Sequence, residues 1–152
     1  MSLVERDRGW AQLVRAAGQR GELTVGIQGT EAGAQHRGST LTNAEIGAVH
    51  EYGATVGSTV IPQRSFLRST VDRHQTRYLG ILRAVGAAAL SGNGTLRDGL
   101  ELLGEVVVGD VKQAIADGIA PPNAPATVAR KGSSTPLIHH GQLRNSISSE
   151  VK

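Results

Sequence analysis

Two apolar stripes with helical spacing, separated by four turn residues, set the frame of this chain. Beyond Ser65, the residues Leu67, Val71, Tyr78, Leu82, Val85 and Ala89 fall on one helical face, with Arg64, Arg68, Arg73, Arg77 and Arg83 mostly off it. Leu96, Leu100, Leu103, Val107, Val111 and Ile115 continue the pattern as far as Gly118. Ser91-Gly-Asn-Gly94 breaks the run, and Thr95 with Asp98 three residues later can cap the second helix. Two helices of similar length joined by so short a turn form an antiparallel hairpin.

The flanking segments add a small sheet. From Asp7 to Ala17 the residues Trp10, Leu13, Val14 and Ala17 form the stripe of an amphipathic helix, which Gly18 and Gly21 end. Residues 22–28 alternate Leu23, Val25 and Ile27 with smaller or polar ones, the period of a half-buried strand. Residues 29–41 are polar and Gly-rich without periodicity, which reads as an exposed loop. Thr42-Asn-Ala-Glu45 has capping-box spacing, so a short helix starts there, buries Ile46 and Val49, and closes at Gly53. Residues 56–62 read as a short β-like or turn segment, with Pro62 favouring an edge. Residues 146–151 alternate weakly as a final strand after a turn at Gly141–Asn145. The expected fold is α+β: a small, mostly antiparallel sheet of the 22–28 and C-terminal strands, with 56–62 a candidate third, packed on the helical hairpin and shorter helices.

Pro121, Pro122, Pro125 and Pro136 forbid regular helix or central strand over residues 119–140, so this stretch reads as an extended arm. The 152 residues suit a single domain, with residues 1–21 as an N-terminal helical segment. With only one Trp, one Phe and two Tyr, the core must be built from Leu, Ile, Val and Ala, and the 20 glycines imply many turns. A thin core of this kind predicts marginal stability for a lone monomer, with partner contacts supplying part of the order.

Several chemistries are excluded or unsupported. No cysteine is present, which rules out disulfides, thiolate metal sites and a thiol nucleophile. His50-Glu51 suggests the zinc-protease helix motif, but Ala54 stands where the second histidine is required. The adjacent His139 and His140 point to opposite sides of extended backbone and are poorly placed to chelate one ion. Arg130-Lys-Gly-Ser-Ser134 lacks the leading glycine and preceding strand of a phosphate loop. No nucleophile elbow or distinctive carboxylate pair is present, so the expectation is a non-enzymatic protein with no cofactor and no metal. No apolar run approaches the roughly 20 residues of a membrane span, and Met1–Trp10 is too charged for a signal peptide, so a soluble protein made in a cytoplasm is expected. A formal charge of +3 is mild beside that of dedicated nucleic-acid binders.

Three stretches, in matching order and spacing, carry a resemblance. They are the Leu41–Gly53 segment ending in His-Glu-Tyr-Gly, the Ile61-Pro-Gln-Arg-Ser-Phe-Leu-Arg68 turn, and the Ala124–Ile138 segment running into Gly141-Gln-Leu-Arg-Asn-Ser-Ile147. Together they resemble the neck and tail-completion proteins of long-tailed bacteriophages, over about residues 22–152. The last motif departs from the family pattern, since His139 and His140 stand where the family usually has Asp-Thr. The resemblance implies a structural virion protein at the head–tail junction, a ring of identical subunits, expected to be a hexamer, with genomic DNA passing through its lumen. Its neighbours would be a head-closure or connector ring and a tail terminator or tail tube. The interface roles implied fall on Ile61, Pro62, Arg64, Phe66, Leu67 and Arg68, with Pro62 fixing the turn and Phe66 and Leu67 anchoring it. They extend to Pro125, Val128, Arg130, Lys131 and Leu137 of the arm.

Two rivals stand beside that reading. A tail terminator or head-closure subunit belongs to the same structural class. A basic nucleic-acid-binding module would instead use Arg64, Arg68, Arg73, Arg77, Arg130 and Lys131 as a phosphate track, and its binding would weaken steeply with salt. A hydrolase would need a site assembled from distant residues, with His50 and Glu51 the first to mutate.

Overall fold

The computed structural model describes residues 9–123, 128–129, 137 and 141–152. In chain order the elements are α1 (Trp10–Ala17), β1 (Leu23–Ile27), α2 (Gly29–Gly33), α3 (Asn43–Tyr52), β2 (Ala54–Val56), β3 (Thr59–Ile61), α4 (Arg68–Ser91), α5 (Leu96–Asp117), α6 (Gln142–Asn145) and β4 (Ile147–Val151). The fold is α+β, as the patterning predicts.

α4 and α5 form the expected hairpin. Thr95 Oγ1 accepts from Asp98 N at 3.1 Å and starts α5, while Gly92 turns left-handed to close α4. The predicted α5 stripe is the spine of the core: Leu103, Val107, Val111 and Ile115 are buried and pack with Phe66, Tyr78, Leu137, Leu143 and Ile147. β1 and β4 pair antiparallel from Leu23↔Val151 to Ile27↔Ile147 and lie against α5. Reciprocal backbone bonds of 3.0 Å between Glu22 and Lys152 clamp the open end of the ladder. Gly104 lets sheet and helix close up, since a Cβ there would stand 2.7 Å from Ser149 Oγ.

Four expectations are corrected. Residues 29–41 are not a free loop: α2 opens the segment, Gln35 bridges to Thr42, and Asn43 Nδ2 donates to Glu31 O at 2.9 Å, tying the excursion back to α3. The 56–62 segment does not join the main sheet, because β2 and β3 pair with each other as a separate hairpin and Pro62 follows β3. The Gly141–Asn145 turn winds into the short helix α6, which buries Leu143. The stripe predicted for α4 is only partly buried: Thr70, Tyr78 and Ala89 are covered, whereas Val71 and Leu82 are exposed. Most of the 119–140 arm lies outside the described residues.

Candidate interaction surface

The capping box at Thr42 forms as predicted: Thr42 Oγ1 accepts from Glu45 N, and Glu45 Oε2 accepts from Thr42 N at 2.8 Å. The buried face of α3, however, is Asn43, Gly47 and Glu51, four residues apart, while Ile46 and Val49 are only half-buried. A helix with polar and small residues inward needs partners for them. Asn43 Oδ1 meets His36 Nδ1 at 2.8 Å, and Gly47 admits the Ile27 side chain of β1.

Glu51 organises the corner that follows. Its carboxylate accepts from Ser65 Oγ at 2.6 Å, Phe66 N at 2.9 Å, Leu67 N at 3.0 Å and Arg68 N at 3.1 Å. These backbone donors include the otherwise orphaned N–H groups at the start of α4, whose cap residue Leu67 supplies no side-chain bond of its own. An anion at a helix N-terminus is also favoured by the helix dipole. Burial pushes the Glu51 carboxyl upward, but the Ser65 hydroxyl and the three backbone donors outweigh it and hold the group below its ordinary value. A carboxylate committed to this cap is not placed for general-base work with His50.

Arg64 locks the corner from the other side. Its N–H donates to His50 O at 2.7 Å, and its guanidinium donates to Pro121 O at 2.7 Å and Pro122 O at 3.1 Å. Burial lowers the Arg64 pKa, and the two carbonyls compensate the lost hydration.

From this braced corner the β2–β3 hairpin stands out. Gly53, at φ 75°, starts it where a Cβ would lie 3.1 Å from Ile61 O and Gln63 N, and Gly57, at φ 59°, opens the two-residue turn. Thr55 faces Val60, and Val56 faces Thr59. Val56 is 65%, Val60 70% and the adjoining Tyr52 71% exposed, and no charged residue occurs from Ala54 to Ile61. Both outer edges of the pair are unpaired among the described residues. Edge strands of monomers are normally blunted by charge, proline or a covering element.

The structure redistributes the site residues read from the sequence. Phe66 is fully buried in its own chain, where it anchors the corner from beneath and has no surface to offer a neighbour, which corrects its place among the interface residues. Leu137, 7% exposed, likewise packs in the core, and Arg64 is held by internal carbonyls. Ile61 and Leu67 are half-buried, Pro62 and Arg68 are exposed, and Val128 is half-buried. Pro125, Arg130 and Lys131 lie outside the described residues. The phosphate track of the rival reading loses Arg64 to the corner and Arg77 to an ion pair with Asp110 at 2.9 Å. Val56 and Val60 lie outside the site expected from the sequence, although Gly57-Ser58 between two uncharged β-branched runs is a hairpin signature. Among the described residues no group of three or more His, Asp or Glu could hold a metal ion, and no helix is long and apolar enough to cross a membrane.

No protein-family model, curated protein or solved structure matches the chain.

Proposed function

We propose that the protein is a structural virion component, a subunit of a ring at the head–tail junction of a tailed bacteriophage, with DNA passing through the lumen and no catalytic role. The observation that carries the reading is the uncharged β2–β3 hairpin, exposing Val56, Val60 and Tyr52, with both edges unpaired among the described residues, on a corner braced by Glu51 and Arg64. A surface of that kind fits permanent burial by another protein, through added strands and apolar contact. The motifs that resemble the neck and tail-completion proteins coincide with it: His-Glu-Tyr-Gly supplies the Glu51 cap and the exit to β2, and Ile-Pro-x-Arg-x-Phe-Leu-Arg supplies the return from β3 into α4.

In this reading copies join head to tail until rotation closes the ring, and a hexamer is the proposed closure. A tail terminator or head-closure subunit would use the same kind of surface at a neighbouring level of the particle. The test is the mass and symmetry of the purified protein, by light scattering with negative-stain images at low and high concentration. A closed ring with an open lumen is expected. A chain that stays monomeric throughout and shifts DNA at moderate salt would replace this reading with the nucleic-acid module.

A further inference from the structure

The two long helices carry opposite charge. α4 has four arginines against Asp72 alone, a balance of +3, whereas α5 has five carboxylates against Arg97 and Lys112, a balance of −3. Among the described residues a single ion pair, Arg77–Asp110, joins them. Arg97 also pairs with Glu101 inside α5, so among the described residues the charge outside ion pairs is Arg68, Arg73, Arg83 and Asp72 on α4 and Asp98, Glu105, Asp117 and Lys112 on α5, balances of +2 and −2.

Each helix also keeps leucines out of the core beside that charge. On α4, Leu79 and Leu90 are each 44% exposed and share a face with Arg83, at steps of four and seven residues, with Leu82 alongside at 38%. On α5, Leu102 is 62% exposed on the side away from Leu103, Val107 and Val111, with Asp98 and Glu105 beside it and Glu101 taken up by Arg97 at 2.9 Å. Leu102 borders a groove of about 700 Å³ between α5 and β4, where Arg97 pairs with Glu101 and Glu150 with Lys152, so that among the described residues Glu105 is the unpaired carboxylate of its lining. Neither Arg83 nor Glu105 enters an ion pair among the described residues.

We infer that these two surfaces are the halves of one contact: the leucine face of α4, with Arg83, seats against Leu102 and its acidic rim on α5 of a second copy of this chain. The inference deepens the ring reading and rests on it for the presence of that second copy. Charge selects the occupant. A second copy presents the missing half of each surface, leucines beside Arg83 on α4 and a leucine between Asp98 and Glu105 on α5, while α4 meeting α4 would set Arg83 near its own copy and α5 meeting α5 would bring carboxylates together. Because the halves differ, each added copy can leave one of each unsatisfied and so extend the assembly until it closes.

The test uses Arg83→Glu and Glu105→Arg, singly, combined in one chain and mixed one to one, followed by sedimentation and light scattering, with thermal melts to verify the fold. Each single reversal is expected to weaken association by about tenfold or more, and the combined chain and the mixture to regain it, since each places opposite charges across the contact again. Full-sized rings from both single variants with unchanged melts would overturn the contact and leave the ring reading standing, as would single losses that neither combination rescues. A two-copy particle that the same reversals dissolve would uphold the contact and sink the ring. A wild-type chain monomeric at every concentration would overturn both.

Discussion

Glu51 Oε2 accepts from Phe66 N at 2.9 Å, so the last turn of α3 caps the first turn of α4 from fifteen positions upstream, across the intervening hairpin and corner. The cap is shared with Ser65, Leu67 and Arg68, and removing it strands several donors in a half-buried setting. Glu51→Ala is expected to cost about 3 kcal/mol, read from denaturant midpoints at constant slope. Glu51→Gln keeps the shape, turns donors toward donors, and is expected to cost about 2 kcal/mol.

The same contact sets an acid limb. Since the folded-state pKa of Glu51 lies below the ordinary 4.5, its contribution is complete above that value and is lost as pH falls through the lower, folded value. Stability of the wild type is therefore expected to drop with acid more steeply than that of Glu51→Gln. Parallel acid profiles for the two proteins would show that the carboxylate charge is not what the cap uses.

Tyr78 Oη donates to Asp110 Oδ2 at 2.7 Å, and Arg77 Nη1 reaches the same carboxylate at 2.9 Å. Burial, then the hydrogen bond and charge of Asp110, push the phenol well above its ordinary 10.0. An acid whose folded pKa is raised contributes stability below its unfolded value and loses it as pH rises through the folded one. Tyr78→Phe is expected to cost about 1 kcal/mol near neutrality and to remove a late-titrating phenol from the ultraviolet titration.

Two glycines of α5 should respond with opposite sign. Gly104→Ala puts a methyl 2.7 Å from Ser149 Oγ and 3.0 Å from Leu23 Cδ1, which must part sheet from helix and is expected to cost about 1–3 kcal/mol. Gly109 meets nothing within 4 Å, so Gly109→Ala is expected to gain about 0.5–1 kcal/mol from helix propensity alone. Melting temperatures of the pair against wild type check both, and equal shifts would contradict the packing of β4 on α5.

What the sequence made legible follows from local physics. Leu103, Val107, Val111 and Ile115 announce α5 because a buried helix must repeat its apolar residues at 3.6, and Thr42 with Glu45 announce α3 because a capping box is local by construction. Glu51 was illegible because its partners are set by a tertiary turn, and a glutamate has no periodic signature when its role is to cap another helix. The buried Asn43–Gly47–Glu51 face misleads an apolar count for the same reason: its inward side chains are satisfied by hydrogen bonds or are too small to register. Phe66 reads as an interface residue only through the resemblance of its motif; the folded chain places it beneath the corner, with Val56 and Val60 outside.

Those two valines give the sharpest test of the proposed function. Val56→Lys and Val60→Lys exchange side chains that are 65% and 70% exposed, so neither creates a cavity or buries a charge in the single chain. Their effect on monomer stability is expected to stay within about 0.5 kcal/mol, since Thr55 pairs with position 60 and Thr59 with position 56 through backbone groups that the substitutions leave in place. If the hairpin is buried between subunits, each lysine places a charge in a desolvated strand contact, the device natural edge strands use against pairing. Assembly should then weaken by roughly 2 kcal/mol or more, the cost of disrupting a central interface position. Rings that form undiminished from the Val56→Lys, Val60→Lys double variant would remove the hairpin from the interface and leave the α4–α5 surfaces to carry it.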